Sequence, residues 1–360
     1  MPKPTVILAP HWRGLTELFR AEDLRAVHGM CDVVWGQDAP IPDDVLARAM
    51  PQAEVLIAET PRVTAQTLAQ APHLKMVIEV SGAFPDTIDY AACAARGVEV
   101  LSCAPGFRQS VAEMGLAMAL STARGLVAEH EAFRTGGEAW LADREDRDFT
   151  LFGARVGFVG FGQIAQELTR LLAPFGVRIS AYDPWLPAAV AQDYGIALAA
   201  LADVLEGSQV LFVAAVPTSE NRHMIDAQAL ARIPRGAVLI LLSRAHLVDF
   251  DALGDAVTRG HIRAAVDVFP SEPLAADDAL RQAHGVILSP HRAAAVPGGR
   301  QLIGEMIRDD IRAMIAGDPM RRLAVASLAV IDKLAGATDG QDVAQMAQAR
   351  DPATPGGDTT

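Results

Sequence analysis

The sequence predicts an α/β chain with two doubly wound parallel-sheet domains, a conclusion resting on three observations. Short apolar runs alternate with helix-patterned stretches along most of the 360 residues, as strands do when helices cover both faces of a sheet. A glycine-rich turn, Gly160-Phe161-Gly162-Gln163-Ile164-Ala165, links one such run to a helix. A break at Cys103-Ala104-Pro105-Gly106 separates the runs into two groups.

The first group of runs is 5–9, 31–35, 53–58, 75–80 and 98–101. The second is 155–159, 177–182, 210–216, 238–242, 264–268 and 286–288. Eleven strands exceed one ordinary doubly wound sheet, so they are divided five and six. Between the groups lies a helix pattern from Ser110 to Arg124, with Ser110 and Glu113 spaced as a capping box. Residues 134–148 are charged and poor in apolar side chains, as in a surface loop. Residues 304–315 form an amphipathic pattern that is expected to cross back to the first domain. The expected domains are therefore 1–103 with 296–339, and 104–295. From about residue 340 the chain is Asp-, Gly-, Pro- and Thr-rich with little core material, and a disordered tail is expected.

Composition narrows the function. Half the residues are apolar (51%) and the net charge is −13. A strongly acidic chain lacks the basic face that nonspecific nucleic-acid binding needs. The three cysteines (Cys31, Cys93, Cys103) form no CxxC or Cys/His ligand cluster, which fits unpaired thiols in a reducing compartment and no metal site. The N-terminus has too short an apolar run for a signal peptide. No run approaches the ~20 residues of a membrane span. A cytoplasmic, membrane-free location is expected.

The residues from Val156 to Pro184 read strand, tight turn, helix, strand, acid. Gly160 permits the sharp turn, and Gly162 lets backbone approach a pyrophosphate where a Cβ would intrude. Gln163 and Ile164 open the helix, whose first N–H groups have no internal partners and face the phosphates. Ala165 takes the third small position. Asp183, 21 positions after Gly162, is placed to accept from ribose hydroxyls. This is a Rossmann dinucleotide unit, and the carboxylate favours NAD over NADP because it would repel a 2′-phosphate.

Downstream, LLSR ends one run at Arg244, AAVDVFPSEPL carries Asp267 and Glu272, and VILSPH ends at His291. Each stands at or beyond the carboxyl end of a strand, the edge where open parallel sheets bind ligands. Together with the glycine motif, these stretches resemble the D-isomer-specific 2-hydroxyacid dehydrogenases, the family of phosphoglycerate dehydrogenases and glyoxylate/hydroxypyruvate reductases. The resemblance runs from about Lys75 to Gly317.

The resemblance implies a Rossmann NAD domain and a smaller, flavodoxin-like substrate domain separated by a cleft. It implies NAD-dependent, reversible hydride transfer at C2 of a small anionic 2-oxo or 2-hydroxy acid. His291 would act as general acid and base, Glu272 would fix its tautomer, and Arg244 would grip the substrate's oxo and carboxylate oxygens. Pro217, Ser243 and Asp267 join Gly160, Gly162, Gln163, Ile164 and Asp183 as cofactor-binding residues. Ser81, Gly82 and Ala83 match the loop that holds substrate carboxylate through backbone N–H groups, an anion nest. The helix 110–124 corresponds to one at a subunit interface in relatives, so a homodimer is expected.

This chain departs from the family pattern at several points. Phe84 and Pro85 replace glycine and an aliphatic residue in the substrate loop. Ser243 and Ala245 flank Arg244 where Asn and Gly are common. Arg292 follows His291, and Arg292 and Arg108 are additional cations that a second anionic group on the substrate would favour. Two rival readings share the scaffold. One is a formate- or phosphite-type dehydrogenase, whose relatives pair their His with Gln where Glu272 stands here. The other is a non-enzymatic NAD-sensing corepressor.

Overall fold

The structure is a computed structural model and describes residues 2–11, 13–142 and 148–334. The expected disordered tail lies outside the described residues. Thirteen strands are found among the described residues. They are β1 (Thr5–Ala9), β2 (Asp32–Trp35), β3 (Ala53–Ala58), β4 (Met76–Glu79), β5 (Glu99–Ser102), β6 (Arg155–Val159), β7 (Arg178–Tyr182), β8 (Ala197–Leu198), β9 (Val210–Val213), β10 (Val238–Leu241), β11 (Arg263–Val266), β12 (Val286–Leu288) and β13 (Ala324–Val325). The chain divides into two compact units, Met1–Ser110 with Ala294–Lys333, and Val111–Ala293. The crossings fall at 110/111 and 293/294, a few residues from the expected 103/104 and 295/296.

In the first unit the sheet order is β13-β5-β4-β3-β1-β2. Leaving out β13, that is the 2-1-3-4-5 order of flavodoxin-like folds. Period-two alternation divides each buried strand between two cores. Val6, Leu8, Val55, Ile57, Met76 and Ile78 join one cluster with Leu18, Phe19, Ile303 and Ile307. Ile7, Leu56, Val77 and Val100 join the other with Leu68, Ile88 and Cys93. These strands read as continuous apolar runs because both faces are covered. The edge strand β13 pairs antiparallel with β5. It corrects the all-parallel expectation, and its two residues are too few to leave a periodic signal.

The second unit has seven parallel strands in the order β12-β11-β10-β9-β6-β7-β8. Counted from β6, this is the doubly wound Rossmann order with one strand added beyond the sixth. Val159, Val213, Leu241 and Val266 lie in register across four neighbouring strands. On one face Leu211, Leu239 and Ala264 pack with Leu230 and Leu253. Phe158 stacks on Phe212 with centroids 5.1 Å apart. The six expected runs are all strands here; the addition is β8, again two residues long.

The helix Arg108–Ala123 starts two residues before Ser110, after a short 3-10 turn at Ala104–Phe107. The expected capping box therefore does not form. Ser110 instead donates its hydroxyl to the Gly299 carbonyl at 2.8 Å. Val111, Ala112, Met118, Ala119 and Ala123 on this helix are buried within the chain. The large exposed apolar side chains lie farther on: Leu126 and Phe133 on the helix Leu126–Arg134, then Trp140, Leu141 and Phe152. The three cysteines are unpaired and buried, and burial pushes the thiols of Cys31 and Cys93 up to about 11.

Among the described residues no single helix is long and apolar enough to cross a membrane; the pair Ala104–Ala123 and Leu126–Arg134 has the length and composition only when taken together, across a 61° bend.

Candidate functional site

Three adjacent strands deliver the chemistry. β10, β11 and β12 are neighbours in register, with Leu241 beside Val266 and Val266 beside Leu288. Whatever follows them emerges at one sheet edge. Arg244 follows β10, Asp267 and Glu272 follow β11, and His291 follows β12. All four belong to the second unit.

His291 Nδ1 and Glu272 Oε2 are 2.7 Å apart. A carboxylate can only accept, so Nδ1 carries the hydrogen and Nε2 is the nitrogen left to exchange a proton. Glu272 is itself held, its Oε1 accepting from the Phe269 N–H at 3.0 Å. Burial pushes the Glu272 carboxyl up. The hydrogen bond and charge of His291, the Phe269 N–H and the charge of Arg244 outweigh that and bring it below its ordinary value. Arg244 is exposed, and its Nη1 donates to the Ser243 carbonyl at 2.8 Å.

His291 has φ +46°. A non-glycine residue is uncommon there, and such conformations persist only where the surroundings enforce them. Asp267 supplies the enforcement. Its carboxylate accepts from Ser289 Oγ at 2.5 Å, the Arg292 N–H at 3.0 Å and the Ala293 N–H at 3.0 Å. A buried acid just past β11 thus clamps the turn that carries His291. The geometry gives Asp267 a positioning task, and Arg292 lends its backbone to the clamp. Sequence reasoning missed Ser289, although Ser-Pro-His at a strand end was a visible turn signal.

The glycine turn lies where the strand order reverses, between β6 and β9. Gly160 has φ +85°, and a Cβ there would stand 2.3 Å from the Ala215 Cα. Turn geometry and the approach of the chain after β9 both require glycine at that position. Gly162 differs: it caps the helix Gln163–Leu172 with ordinary φ, and nothing lies within 4 Å of where its Cβ would be. Gly162 and Gln163 are exposed, Ile164 is half-buried, and Ala165 is fully buried. Asp183, just past β7, accepts from the Phe161 N–H at 2.8 Å and the Trp185 N–H at 2.9 Å. Each of its oxygens keeps a lone pair for a ribose hydroxyl. Open space over Gly162, first-turn N–H groups that have no partner within their own helix, and this acid fit a dinucleotide.

Pro217 is half-buried in a turn that Asn221 ties together, accepting from the Thr218 N–H and donating to the Val216 carbonyl. His246 Nε2 meets the Thr218 carbonyl at 2.9 Å. Ser243 donates its hydroxyl to the Val213 carbonyl at 3.2 Å, so it links β9 to the start of the arginine turn. Among the described residues no group of three or more His, Cys, Asp or Glu could hold a metal ion.

The remaining expected residues lie in the first unit. The N–H groups of Ser81, Gly82 and Ala83 do converge as an anion nest, but they donate to Glu79 of the same chain at 2.8, 2.9 and 3.0 Å. The nest is filled from inside the same chain. Arg108, also in this unit, donates to the Pro105 carbonyl.

Known proteins agree with this architecture. Residues 116–293 match the family model described as D-isomer specific 2-hydroxyacid dehydrogenase, NAD binding domain. A D-3-phosphoglycerate dehydrogenase of Mycobacterium bovis is 35% identical over 296 residues, 81% of this chain and 54% of that protein. The chain thus spans about half the length of that relative. A glyoxylate reductase of Korarchaeum cryptofilum is 29% identical over 290 residues, 79% of this chain and 86% of that one. A crystal structure of a phosphoglycerate oxidoreductase from Rhizobium etli matches with TM-score 0.80 and 36% identity, covering 90% of this chain and 99% of that chain. The chain belongs to the D-isomer specific 2-hydroxyacid dehydrogenase family, and its second unit is that family's NAD-binding domain.

Proposed function

We propose that the protein is an NAD-dependent D-2-hydroxyacid dehydrogenase, working reversibly as a 2-oxoacid reductase on a small anionic acid. The observation that carries this reading is the 2.7 Å pair of His291 Nδ1 and Glu272 Oε2 at the sheet edge that also bears Arg244. When bound, the nicotinamide cofactor donates or accepts the hydride at the substrate's C2. Arg244 grips the oxo and carboxylate oxygens through its planar fork, orienting the carbonyl. His291 Nε2 gives a proton to the carbonyl oxygen in reduction and recovers it in oxidation. Glu272 holds the ring in one tautomer, and Asp267 holds the turn beneath it. Asp183 and the open helix start at Gly162, Gln163 and Ile164 receive the dinucleotide, with Pro217 and Ser243 shaping the neighbouring turns.

The relatives' names, phosphoglycerate and glyoxylate, support a small 2-oxo or 2-hydroxy acid as the substrate class. The exposed Leu126, Phe133, Trp140 and Phe152 support a homodimer in which a second copy covers them. The three unpaired cysteines support a reducing, cytoplasmic setting.

The test follows NADH absorbance with a panel of 2-oxo acids. Turnover of at least one acid is expected. His291→Ala should lower kcat by at least about a hundredfold while NADH affinity stays nearly unchanged. Full activity in that variant removes His291 from its role. NADH binding without turnover of any acid moves the protein to the sensor reading.

A further inference from the structure

Glu79 is a carboxylate at the end of a strand whose four residues are all buried, and it is 0% exposed itself. Four backbone N–H groups from two loops converge on it. Oε1 accepts from Ser81 at 2.8 Å and Thr60 at 3.3 Å, and Oε2 accepts from Gly82 at 2.9 Å and Ala83 at 3.0 Å. Both loops leave the carboxyl ends of neighbouring strands, β3 and β4, the ligand edge of a parallel sheet.

The backbone is bent to serve this carboxylate. Thr60 has φ +44°, a left-handed conformation that a β-branched residue rarely adopts. Gly82 has φ +89°, with the Phe107 ring where a Cβ would stand. Tyr90 pins the loop farther on by donating its hydroxyl to the Pro85 carbonyl at 2.8 Å. Such a concavity of successive N–H groups binds anions. Here the chain supplies the anion. A hydrogen already given to Glu79 is not available to a second acceptor. A second carboxylate brought to these N–H groups would also meet the charge of the first in a desolvated setting.

We propose that Glu79 is a specificity-determining residue: it fills the nest of Thr60 and residues 81–83 from inside the fold, excludes a substrate carboxylate from this loop, and leaves Arg244 to hold the acid group. The first part stands on the contacts of the first unit alone; the second rests on the dehydrogenase reading.

The test uses the full chain and formate, the smallest carboxylate, as probe. Glu79→Ala removes the internal anion and leaves its donors unmet. Added formate should raise the Tm of this variant by at least ~2 °C, with a much smaller change in the wild type. Glu79→Gln, whose amide still fills the space, should not respond. An equal shift in wild type and Glu79→Ala, or none in either, overturns the proposal. If Glu79→Ala does not fold, amide exchange in the wild type decides. Ser81, Gly82 and Ala83 should exchange at least about tenfold slower than unprotected amides, and unprotected rates overturn the proposal.

In turnover, formate should inhibit Glu79→Ala competitively against the 2-oxo acid and spare the wild type; equal inhibition of both overturns the exclusion. If the wild type turns over no 2-oxo acid, the dehydrogenase reading fails, while the thermal and exchange results still decide where Glu79 sits.

Discussion

Two loops in this chain share one design and have opposite fates. Residues 160–162 and 81–83 each follow the carboxyl end of a parallel strand, and each includes a glycine at positive φ, Gly160 at +85° and Gly82 at +89°. The first opens a helix and looks into open space at Gly162. The second closes on Glu79. A positively polarised backbone concavity is therefore not by itself a ligand site. The side chain behind it decides: Asp183 stands beside the first loop and takes only the Phe161 N–H from it, whereas Glu79 lies beneath the second and takes three.

The contrast breaks most sharply at the two glycines of the open loop. Gly160→Ala would press a Cβ against the Ala215 backbone in a conformation that alanine resists, at a cost of about 3 kcal/mol or more. A fall in Tm of roughly 6–12 °C is expected. Gly162→Ala should leave Tm within about 2 °C yet weaken NADH binding about tenfold or more, because the new methyl intrudes where backbone must approach phosphate. Calorimetry and NADH fluorescence titration separate the two effects. Equal thermal losses would show that Gly162, too, is there for packing.

Asp183→Ala tests the acid beside the open loop. The ratio of NADH to NADPH affinity should fall by about tenfold, since a neutral residue no longer repels a 2′-phosphate. An unchanged ratio removes the ribose contact.

The smallest effect is a pair of opposing pH slopes. Glu272 sits below its ordinary value. The stability it contributes is present above the ordinary carboxylate range and is lost as pH falls through its lowered value. Glu79 is pushed up, burial outweighing its hydrogen bonds. Its ionisation costs stability at neutral pH, and that cost disappears as pH falls through the raised value. In urea unfolding, the wild type should lose ground to Glu272→Gln on acidification and gain ground on Glu79→Gln. Slopes of the same sign would contradict one of the two environments.

Much of this was legible in the sequence for a physical reason. Strands covered on both faces must be apolar at every position, so Val-Leu-Phe-Val at 210–213 and Val-Leu-Ile-Leu at 238–241 announced themselves. Arg244, Glu272 and His291 stood out because each lies in the short segment that leaves the carboxyl end of such a run. The two-residue strands β8 and β13 were not, having no period to detect. The φ of His291 and the clamp from Asp267 were also hidden, since both depend on the register of β11 and β12. Glu79 left a signal that went unread: an acid inside the run MVIEV has to find buried donors, and the nearest lay in the loop assigned to substrate.

The discontinuity of the first unit orders events during synthesis. Val111–Ala293 is contiguous and can complete its sheet as soon as it has left the ribosome. The first unit emerges earlier but cannot finish earlier. Leu18 and Phe19 await Ile303 and Ile307, and β5 awaits β13. Its apolar surface therefore remains uncovered throughout translation of the second unit, and a chain paused just after Ala293 clears the ribosome would carry a finished cofactor domain and an unfinished first unit.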